Sequence, residues 1–282
     1  MVSIVITAYN VGEWIEKSIA SACGQSYKEV EIIVVEDCST DDTRERISHI
    51  CDRRVKILYN SSNIGAGASR RKGIEAAKGE YIMLLDGDDW IENDFVETLY
   101  RKAIEYDADI VSGGIRIVND DGSWDATSYG NRIVEGDEKI TGFWGERIVF
   151  MNNKLIRKKL YEKVPYCTRR FIEDTPVIIP QMFFANKVVY TDNTGYNYRM
   201  NPKSLTHTAS RFKNALFRAL CAADIIGFFE KHDKRMLTLL PLANGYMQCI
   251  NEIKECNPSR EEIKAWNEEW IEFSTGLLRR LV

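Results

Sequence analysis

The first half of the chain alternates between short apolar runs and segments in which apolar residues recur at helical spacing. Apolar runs rich in β-branched residues lie at 2–8, 30–35, 55–59 and 79–85. Runs of this kind are typical of buried strands. After the first run, Ile15, Ile19 and Ala22 fall on one face of a predicted helix, and further helices are expected from about Asp42 and over 66–77. Strands that alternate with helices predict a mostly parallel sheet covered by helices on both faces.

The pattern changes to helical spacing alone after about residue 207. An apolar stripe occupies Ala215, Leu216, Ala219, Leu220, Ala223 and Ile226, and helical spacing continues over 236–253 and 260–281. The last segment places four large apolar residues on one face: Trp266, Trp270, Phe273 and Leu277. We favour a buried surface for this face, with attachment to a membrane surface as the alternative. The chain is therefore divided into an α/β part, 1–207, and a C-terminal helical region, 208–282.

The acidic turn after the fourth apolar run is the most informative polar feature. It reads Asp86-Gly87-Asp88-Asp89. Residues two apart in a strand point to the same side, so Asp86 and Asp88 can present oxygens to one hard cation such as Mg²⁺ or Mn²⁺. Acidic turns that contain glycine are also common as solvated loops. Taken alone, the turn leaves both interpretations open.

Polar residues also follow two other predicted strands. Thr7 and Tyr9 end the first strand, Asp37 follows the second, and Asp86 and Asp88 end the fourth. The carboxyl ends of parallel strands meet at one edge of a sheet, and ligands of open α/β sheets bind at that edge. We therefore expect a nucleotide there.

An ordered set of motifs resembles the family 2 glycosyltransferases, which are inverting enzymes of the GT-A fold that use nucleotide-diphosphate sugars. The matching motifs are VSIVITAYN at 2–10, EDCSTD at 36–41, NIG at 63–65, SRRKG at 69–73, DGDDW at 86–90, FIED at 171–174, YNYR at 196–199 and SLT at 204–206. Two departures are Glu36, where the family usually has Asp, and Ser69-Arg70-Arg71, where Ala-Arg-Asn is commoner. Neither removes a group that the chemistry needs.

The resemblance implies a GT-A catalytic domain over 1–207. Within it, 1–112 would form the Rossmann-like nucleotide-binding half and 113–207 the acceptor-side half. The residues that shape the acceptor site are expected within 113–170.

The resemblance also assigns roles to the donor-binding residues. Asp37 would accept a hydrogen bond from the nucleotide base, with Thr7 and Tyr9 in the same pocket and Arg70 helping to position the donor. A carboxylate that accepts from N3–H selects uracil over cytosine, which has no proton there. The alternative for Asp37 is that it caps the following helix.

The metal site implied by the resemblance centres on the acidic turn. Asp88 would bind Mn²⁺ or Mg²⁺ directly, while Asp86 would bond the ribose or reach the metal through water. Asp89 would either orient its neighbours or start the next helix. His207 would approach the diphosphate or the metal, with a purely structural role as the equal alternative.

Asp174 matches the second acid of the family's Glu-Asp motif, which implies that it is the general base, with Glu173 supporting it. The alternative is that both acids suit the dipole at the start of the next helix. Adjacent residues on a helix do not face each other, so Glu173 and Asp174 are not the acid pair of a glycosidase.

Composition excludes several other classes. A formal net charge of -4 gives no reason to expect nucleic-acid binding. Seven cysteines without a Cys-x-x-Cys spacing argue against a disulfide framework and a zinc site. Met1 leads directly into a strand and no apolar run reaches the roughly 18–20 residues that span a bilayer, so we expect neither a secretory signal nor a transmembrane segment. The expected location is the cytoplasm, with peripheral contact at the inner face of the membrane as an option; no pattern specifies an oligomeric state.

The predicted activity is transfer of a hexosyl group from a nucleotide-diphosphate donor, with a UDP-sugar favoured, to a hydroxyl of a sugar or lipid-linked glycan during polysaccharide or glycoconjugate synthesis. One alternative is a sugar nucleotidyltransferase, a class that usually has an N-terminal Gly-rich phosphate loop with a basic residue. In this chain, segment 7–14 has a single glycine, Gly12, and no lysine or arginine. The other is a non-catalytic nucleotide-sugar-binding relative, which would have lost an acid. Asp37, Asp88 and Asp174 are all present.

Overall fold

A computed structural model describes most of the chain. The described residues are 1–119, 121–141, 150–164, 174–201, 210–234, 241–256, 258–265, 268–269 and 271–272. The strands are β1 (Val2–Ala8), β2 (Val30–Glu36), β3 (Val55–Tyr59), β4 (Tyr81–Asp86), β5 (Trp90–Ile91), β6 (Ile110–Ser112), β7 (Ile115–Val118), β8 (Trp124–Thr127), β9 (Arg132–Glu135), β10 (Lys154–Arg157), β11 (Lys187–Tyr190) and β12 (Tyr196–Arg199). The helices are α1 (Gly12–Cys23), α2 (Thr43–Ser48), α3 (Ala66–Ala76), α4 (Phe95–Glu105), α5 (Glu138–Thr141), α6 (Lys159–Lys163), α7 (Thr175–Phe184), α8 (Arg211–Lys231), α9 (Pro241–Cys256) and α10 (Arg260–Ala265).

The main sheet has the strand order β3-β2-β1-β4-β10-β6-β11-β9. Its first four strands are parallel, as the alternating pattern predicts. Beyond β4 the directions are mixed, because β10 runs antiparallel between β4 and β6, and β9 runs antiparallel to β11. The sheet is therefore parallel over β3-β2-β1-β4 and mixed in the remainder.

Helices cover both faces of this sheet, which confirms the predicted α/β class. Alternate residues of a strand point to opposite faces. On one face Ile4 and Ile6 of β1 pack in a cluster with α1 and α4, and on the other face Val5 packs in a cluster with α7 and α8. Both faces of the sheet are buried, which is why these strands are continuous apolar runs rather than alternating ones.

A smaller sheet has the order β5-β12-β7-β8. In it β5, directly after the acidic turn, pairs antiparallel with β12, so that Asn197 lies opposite Trp90. This pairing brings residues more than 100 positions apart to the acidic turn.

The C-terminal helices pack on the α/β core. The predicted stripe on α8 is buried at Ala215, Leu216, Ala219 and Leu220. Farther along the helix, Ala222 and Ile225 are buried in place of the predicted Ala223 and Ile226, which are only partly buried. The predicted face of four large apolar residues lies outside the described residues. Among the helices that the structure describes, none has the length and apolar character needed to cross a membrane.

Candidate functional site

Three parallel strands bring the predicted polar residues to one edge of the main sheet. Thr7 lies opposite Asp86 across the β1–β4 pair, and its Oγ1 donates to Asp86 Oδ1 at 3.3 Å. On the other side of β1, the backbone N–H of Asp37 donates to Ala8 O at 2.9 Å. The ends of β1, β2 and β4 therefore line one edge of the sheet.

Arg70 connects this edge to the predicted base. It lies on α3, which packs unusually close to β1, because a Cβ added to Gly73 would lie 2.3 Å from Val5 Cγ1. Arg70 Nη2 donates to Asp86 Oδ1 at 2.9 Å and Nη1 donates to Asp174 Oδ1 at 3.0 Å. One guanidinium, 8% exposed, thus holds both carboxylates.

Asp174 stands immediately before α7 without capping it. Its backbone carbonyl accepts from the N–H groups of Val177 and Ile178, but its side chain makes no capping bond to the first turn. The carboxylate is turned toward Arg70 and is 21% exposed. Its position is therefore set by the site rather than by the helix end.

The segment before β10 supplies two contacts that the sequence analysis missed. Asn152 Nδ2 donates to Asp86 Oδ2 at 2.6 Å, and Met151 N lies 3.5 Å from Asp174 Oδ2. The only signal in the sequence is a pair of asparagines ahead of a short strand, which is too common to predict a site. Residues 151 and 152 therefore join the site by tertiary contact alone.

Asp89 is buried beneath the acidic turn and holds β12 to it. Its carboxylate is 2% exposed and accepts from Tyr196 Oη at 2.5 Å and from Arg199 N at 2.9 Å. Burial, with added repulsion from Asp88 and Asp86, raises the pKa of Asp89 well above its ordinary value. Since α4 begins only at Phe95, Asp89 does not start the next helix, and its predicted role in orienting its neighbours stays a prediction.

Asp88 is partly buried. Burial and, to a smaller extent, the charge of Asp86 raise its pKa to about 6, against the opposing effects of a hydrogen bond from Asn201 and the charge of Arg199. A cation bound at the turn would offset the charges of both carboxylates.

The oxygen ligands fit a hard cation that also binds phosphate. Among the described residues, no group of three or more His, Cys, Asp and Glu side chains could hold a metal ion. Mg²⁺ commonly uses one or two carboxylates and completes its shell with phosphate oxygens and water. Asp86 accepts three hydrogen bonds, from Thr7, Arg70 and Asn152, so Asp88 has more acceptor capacity left for direct contact with the cation.

Asp37 is 3% exposed and organises the loop that leads into α3. Its Oδ1 accepts from Asn60 Nδ2 at 2.7 Å and from Ile64 N at 2.9 Å, and its Oδ2 accepts from Gly65 N at 2.9 Å. A carboxylate has about four lone-pair sites, so one acceptor site remains. The capping alternative does not apply, since Asp41 accepts from Thr43 N at the start of α2.

Tyr9 follows Ala8, which bonds Asp37, and the residue is 45% exposed. The turn that follows it contains Asn10 with φ +52°, and Cys38 in the facing turn has φ +60°. The two turns are tied together, because Asn10 Oδ1 accepts from Thr40 N at 2.8 Å. Left-handed backbone at non-glycine residues costs free energy and is concentrated at functional sites.

Two of the predicted site residues, Glu173 and His207, lie outside the described residues.

The family model "Glycosyl transferase family 2" matches residues 3–165. The chain belongs to this family, as the motif resemblance predicted. It is 30% identical over 248 residues to the glycosyltransferase GlyG of Streptococcus pneumoniae, covering 82% of this chain and 79% of GlyG. It is 29% identical over 279 residues to GlyA of the same strain, covering 89% of this chain but only 39% of GlyA.

The fold is similar to a solved structure of S. aureus TarS. The crystal structure of TarS 1–349 in complex with UDP-GlcNAc superposes with a TM-score of 0.71 at 18% identity, covering 98% of this chain and 81% of that chain. At this identity the likeness concerns the fold. It confirms the predicted GT-A architecture.

Proposed function

We propose that this protein transfers a sugar from a UDP-sugar to a hydroxyl of a sugar or lipid-linked glycan, with inversion at the anomeric carbon and assistance from Mn²⁺ or Mg²⁺. The observation that carries the proposal is the Arg70 bridge between Asp86 and Asp174. It joins the acidic turn, where a diphosphate would bind, to a carboxylate that can accept a proton.

Two features support a uridine nucleotide at the strand ends. The exposed ring of Tyr9 offers a stacking surface beside Asp37, which keeps one acceptor site for N3–H of uracil. TarS structures with the same fold were solved in complex with UDP-GlcNAc and with UDP. Thr7 would contribute its hydroxyl at the same edge.

The acidic turn would hold the donor's diphosphate. A divalent cation bound there supplies Lewis-acid stabilisation of the leaving nucleoside diphosphate. Asp88 would be its direct ligand, and Asp86, bonded to Arg70 and Asn152, would reach it through water or bind the ribose. Asp89 keeps β12 in place below the turn.

Asp174 would remove the proton from the acceptor hydroxyl while that oxygen attacks the anomeric carbon from the side opposite the leaving group. Arg70 fixes the position of the Asp174 carboxylate. The partial exposure of Asp174 leaves this carboxylate within reach of an acceptor. General-base assistance is typically worth about 10²–10⁴ in rate. Alignment of the acceptor with the donor adds to this.

Release of UDP decides between the proposal and its alternatives. A panel of UDP-glucose, UDP-galactose, UDP-GlcNAc and UDP-GalNAc is incubated with Mn²⁺ or Mg²⁺ and with glycan or lipid-linked acceptors. Acceptor-dependent UDP release is expected. Formation of a nucleotide sugar from UTP and a sugar 1-phosphate would instead indicate a nucleotidyltransferase, and UDP-sugar binding without turnover would indicate a non-catalytic relative.

A further inference from the structure

Lys154 is a charged residue for which the proposed reaction has no role, yet it is fully buried at the first position of β10. Lysine is almost never fully buried without partners, because the ammonium loses its hydration. Lys154 Nζ donates to Phe150 O at 2.6 Å and to Asn153 Oδ1 at 2.7 Å. Both acceptors are neutral, so any negative charge that stabilises the ammonium belongs to another residue.

The alternation of side chains along β10 indicates which residue supplies that negative charge. Leu155 packs in the cluster that contains α4, whereas Ile156 packs in the cluster that contains α7. Residues two apart on a strand point to the same side, so Lys154 points to the α7 side with Ile156. Asp174 immediately precedes α7, and its negative charge acts on the Lys154 ammonium.

Lys154 bonds both ends of segment 150–153. This segment contacts the carboxylates of Asp86 and Asp174. Met151 N lies 3.5 Å from Asp174 Oδ2, and Asn152 Nδ2 donates to Asp86 Oδ2 at 2.6 Å. Both residues lie between the two that Lys154 bonds. Loss of the ammonium would therefore loosen the backbone that carries these two contacts.

We propose that Lys154 is a positioning residue for Asp174, since its ammonium bonds both ends of segment 150–153 and places a buried positive charge on the α7 side of β10. This inference rests on the proposed function, because it places Lys154 behind the residue that takes the acceptor proton. Lys154 contacts no substrate. It acts by setting where Asp174 stands and which charge surrounds it.

The inference predicts a pH effect. Burial lowers the pKa of Lys154 to about 7, and Asp174 is the charged group that opposes this shift among the described residues. The ammonium is present below that pH and is lost as the pH rises through it. Hydrogen bonds from a charged donor are stronger than those from a neutral amine, so we expect kcat to fall above about pH 7.

The coupling of Lys154 to Asp174 is tested without any turnover. The side-chain ¹⁵N resonance of Lys154, identified by its absence in Lys154→Met, is titrated in the full chain and in Asp174→Asn. We expect a midpoint near pH 7 in the natural protein and a lower midpoint in Asp174→Asn. The same midpoint in both proteins would overturn the inference.

Kinetics then test the positioning role. With a UDP-sugar that the protein turns over, Lys154→Met should lower kcat roughly 10–100-fold, the scale of a misplaced catalytic group, and should abolish the decline above pH 7. The affinity for UDP should change less than kcat, because Asp86 keeps its bonds from Thr7 and Arg70 when Asn152 shifts. If Lys154→Met does not fold, Lys154→Arg keeps the charge at all pH values, and its kcat should no longer fall above pH 7.

Lys139 is the matched control. It is also buried, its Nζ donates to Ala185 O, and its negative neighbours include Asp109 and Asp137 rather than Asp174. Lys139→Met should keep the pH profile of the natural protein. An equal loss of kcat in both methionine variants, or an unchanged pH profile in Lys154→Met, would overturn the inference. A natural protein that turns over no UDP-sugar contradicts the proposed function, while the titration still decides the inference.

Discussion

The Arg70 guanidinium and the Asp174 carboxylate form an ion pair, with 3.0 Å between Nη1 and Oδ1, although they are 104 positions apart in sequence. The same guanidinium donates to Asp86 at 2.9 Å. Arginine has its donors in a rigid planar fork, so it can hold two carboxylates at a fixed separation. This pair sets the distance between the donor end of the site and the proposed base.

Arg70→Lys is expected to lower kcat roughly 10–100-fold, because an ammonium keeps the charge but cannot reproduce the planar fork that aligns both carboxylates. Arg71→Lys is the control, since Arg71 is exposed and pairs only weakly with Glu75 on the helix surface. Steady-state UDP release checks both. Equal activity of the two variants would contradict a bridging role for Arg70.

Removal of the metal should weaken nucleotide binding. If Asp88 holds a cation against the diphosphate, chelation should raise the Kd of UDP measured by calorimetry, and uridine, which lacks phosphates, should bind independently of the metal. Asp88→Ala should lose the metal dependence. Asp125, which lies on β8 at an exposed position, provides the control variant Asp125→Ala. An unchanged Kd after chelation would rule out the site.

Asp37 should affect both base selectivity and stability. In the natural protein UDP should bind more tightly than CDP, and Asp37→Ala should reduce the difference. The same change leaves Ile64 N and Gly65 N without their acceptor, and Asn60 Nδ2 with Ser69 Oγ alone. An unsatisfied buried donor costs about 1–3 kcal/mol, so the free energy of unfolding should also fall by at least about 1 kcal/mol. Equal affinity of the natural protein for UDP and CDP would exclude the base assignment.

Replacement by alanine should change the free energy of unfolding in opposite directions at Gly73 and at Gly227. A Cβ at Gly73 would lie 2.3 Å from Val5 Cγ1, so Gly73→Ala should push α3 from β1 and cost about 1–3 kcal/mol, as overpacking does. Because α3 carries Arg70, Gly73→Ala should also lower kcat. Gly227 of α8 has open space, and Gly227→Ala should stabilise the helix by up to about 1 kcal/mol. Denaturant unfolding checks both signs.

Local patterns were sufficient to predict the four parallel strands of the main sheet. The runs at β1, β2 and β4 are apolar on both faces, and parallel strands bring Thr7 and Asp86 to the same edge. Sequence spacing alone could not predict that β10 inserts antiparallel beside β4, because that pairing depends on long-range packing. Motif position did single out Arg70 and Asp174, but not the contact between them.

The contacts of residues 151–154 could not be predicted for a related reason. Asn152 and Lys154 belong to no motif, and their importance comes only from the neighbours that tertiary structure supplies. A lysine at the start of a strand normally points to solvent. Here it is buried because β10 lies inside the sheet, between β4 and β6.

Asp174→Asn is the sharpest test of the proposed mechanism, because it preserves the shape of the side chain while removing the base. Asp174 is proposed to act on the acceptor rather than on the donor, so the Kd of UDP and of the UDP-sugar should change little. With an active acceptor, kcat should fall by about 10²–10⁴, since the lost interaction matters mainly in the transition state. Transfer by Asp174→Asn at a rate close to that of the natural protein would contradict the account.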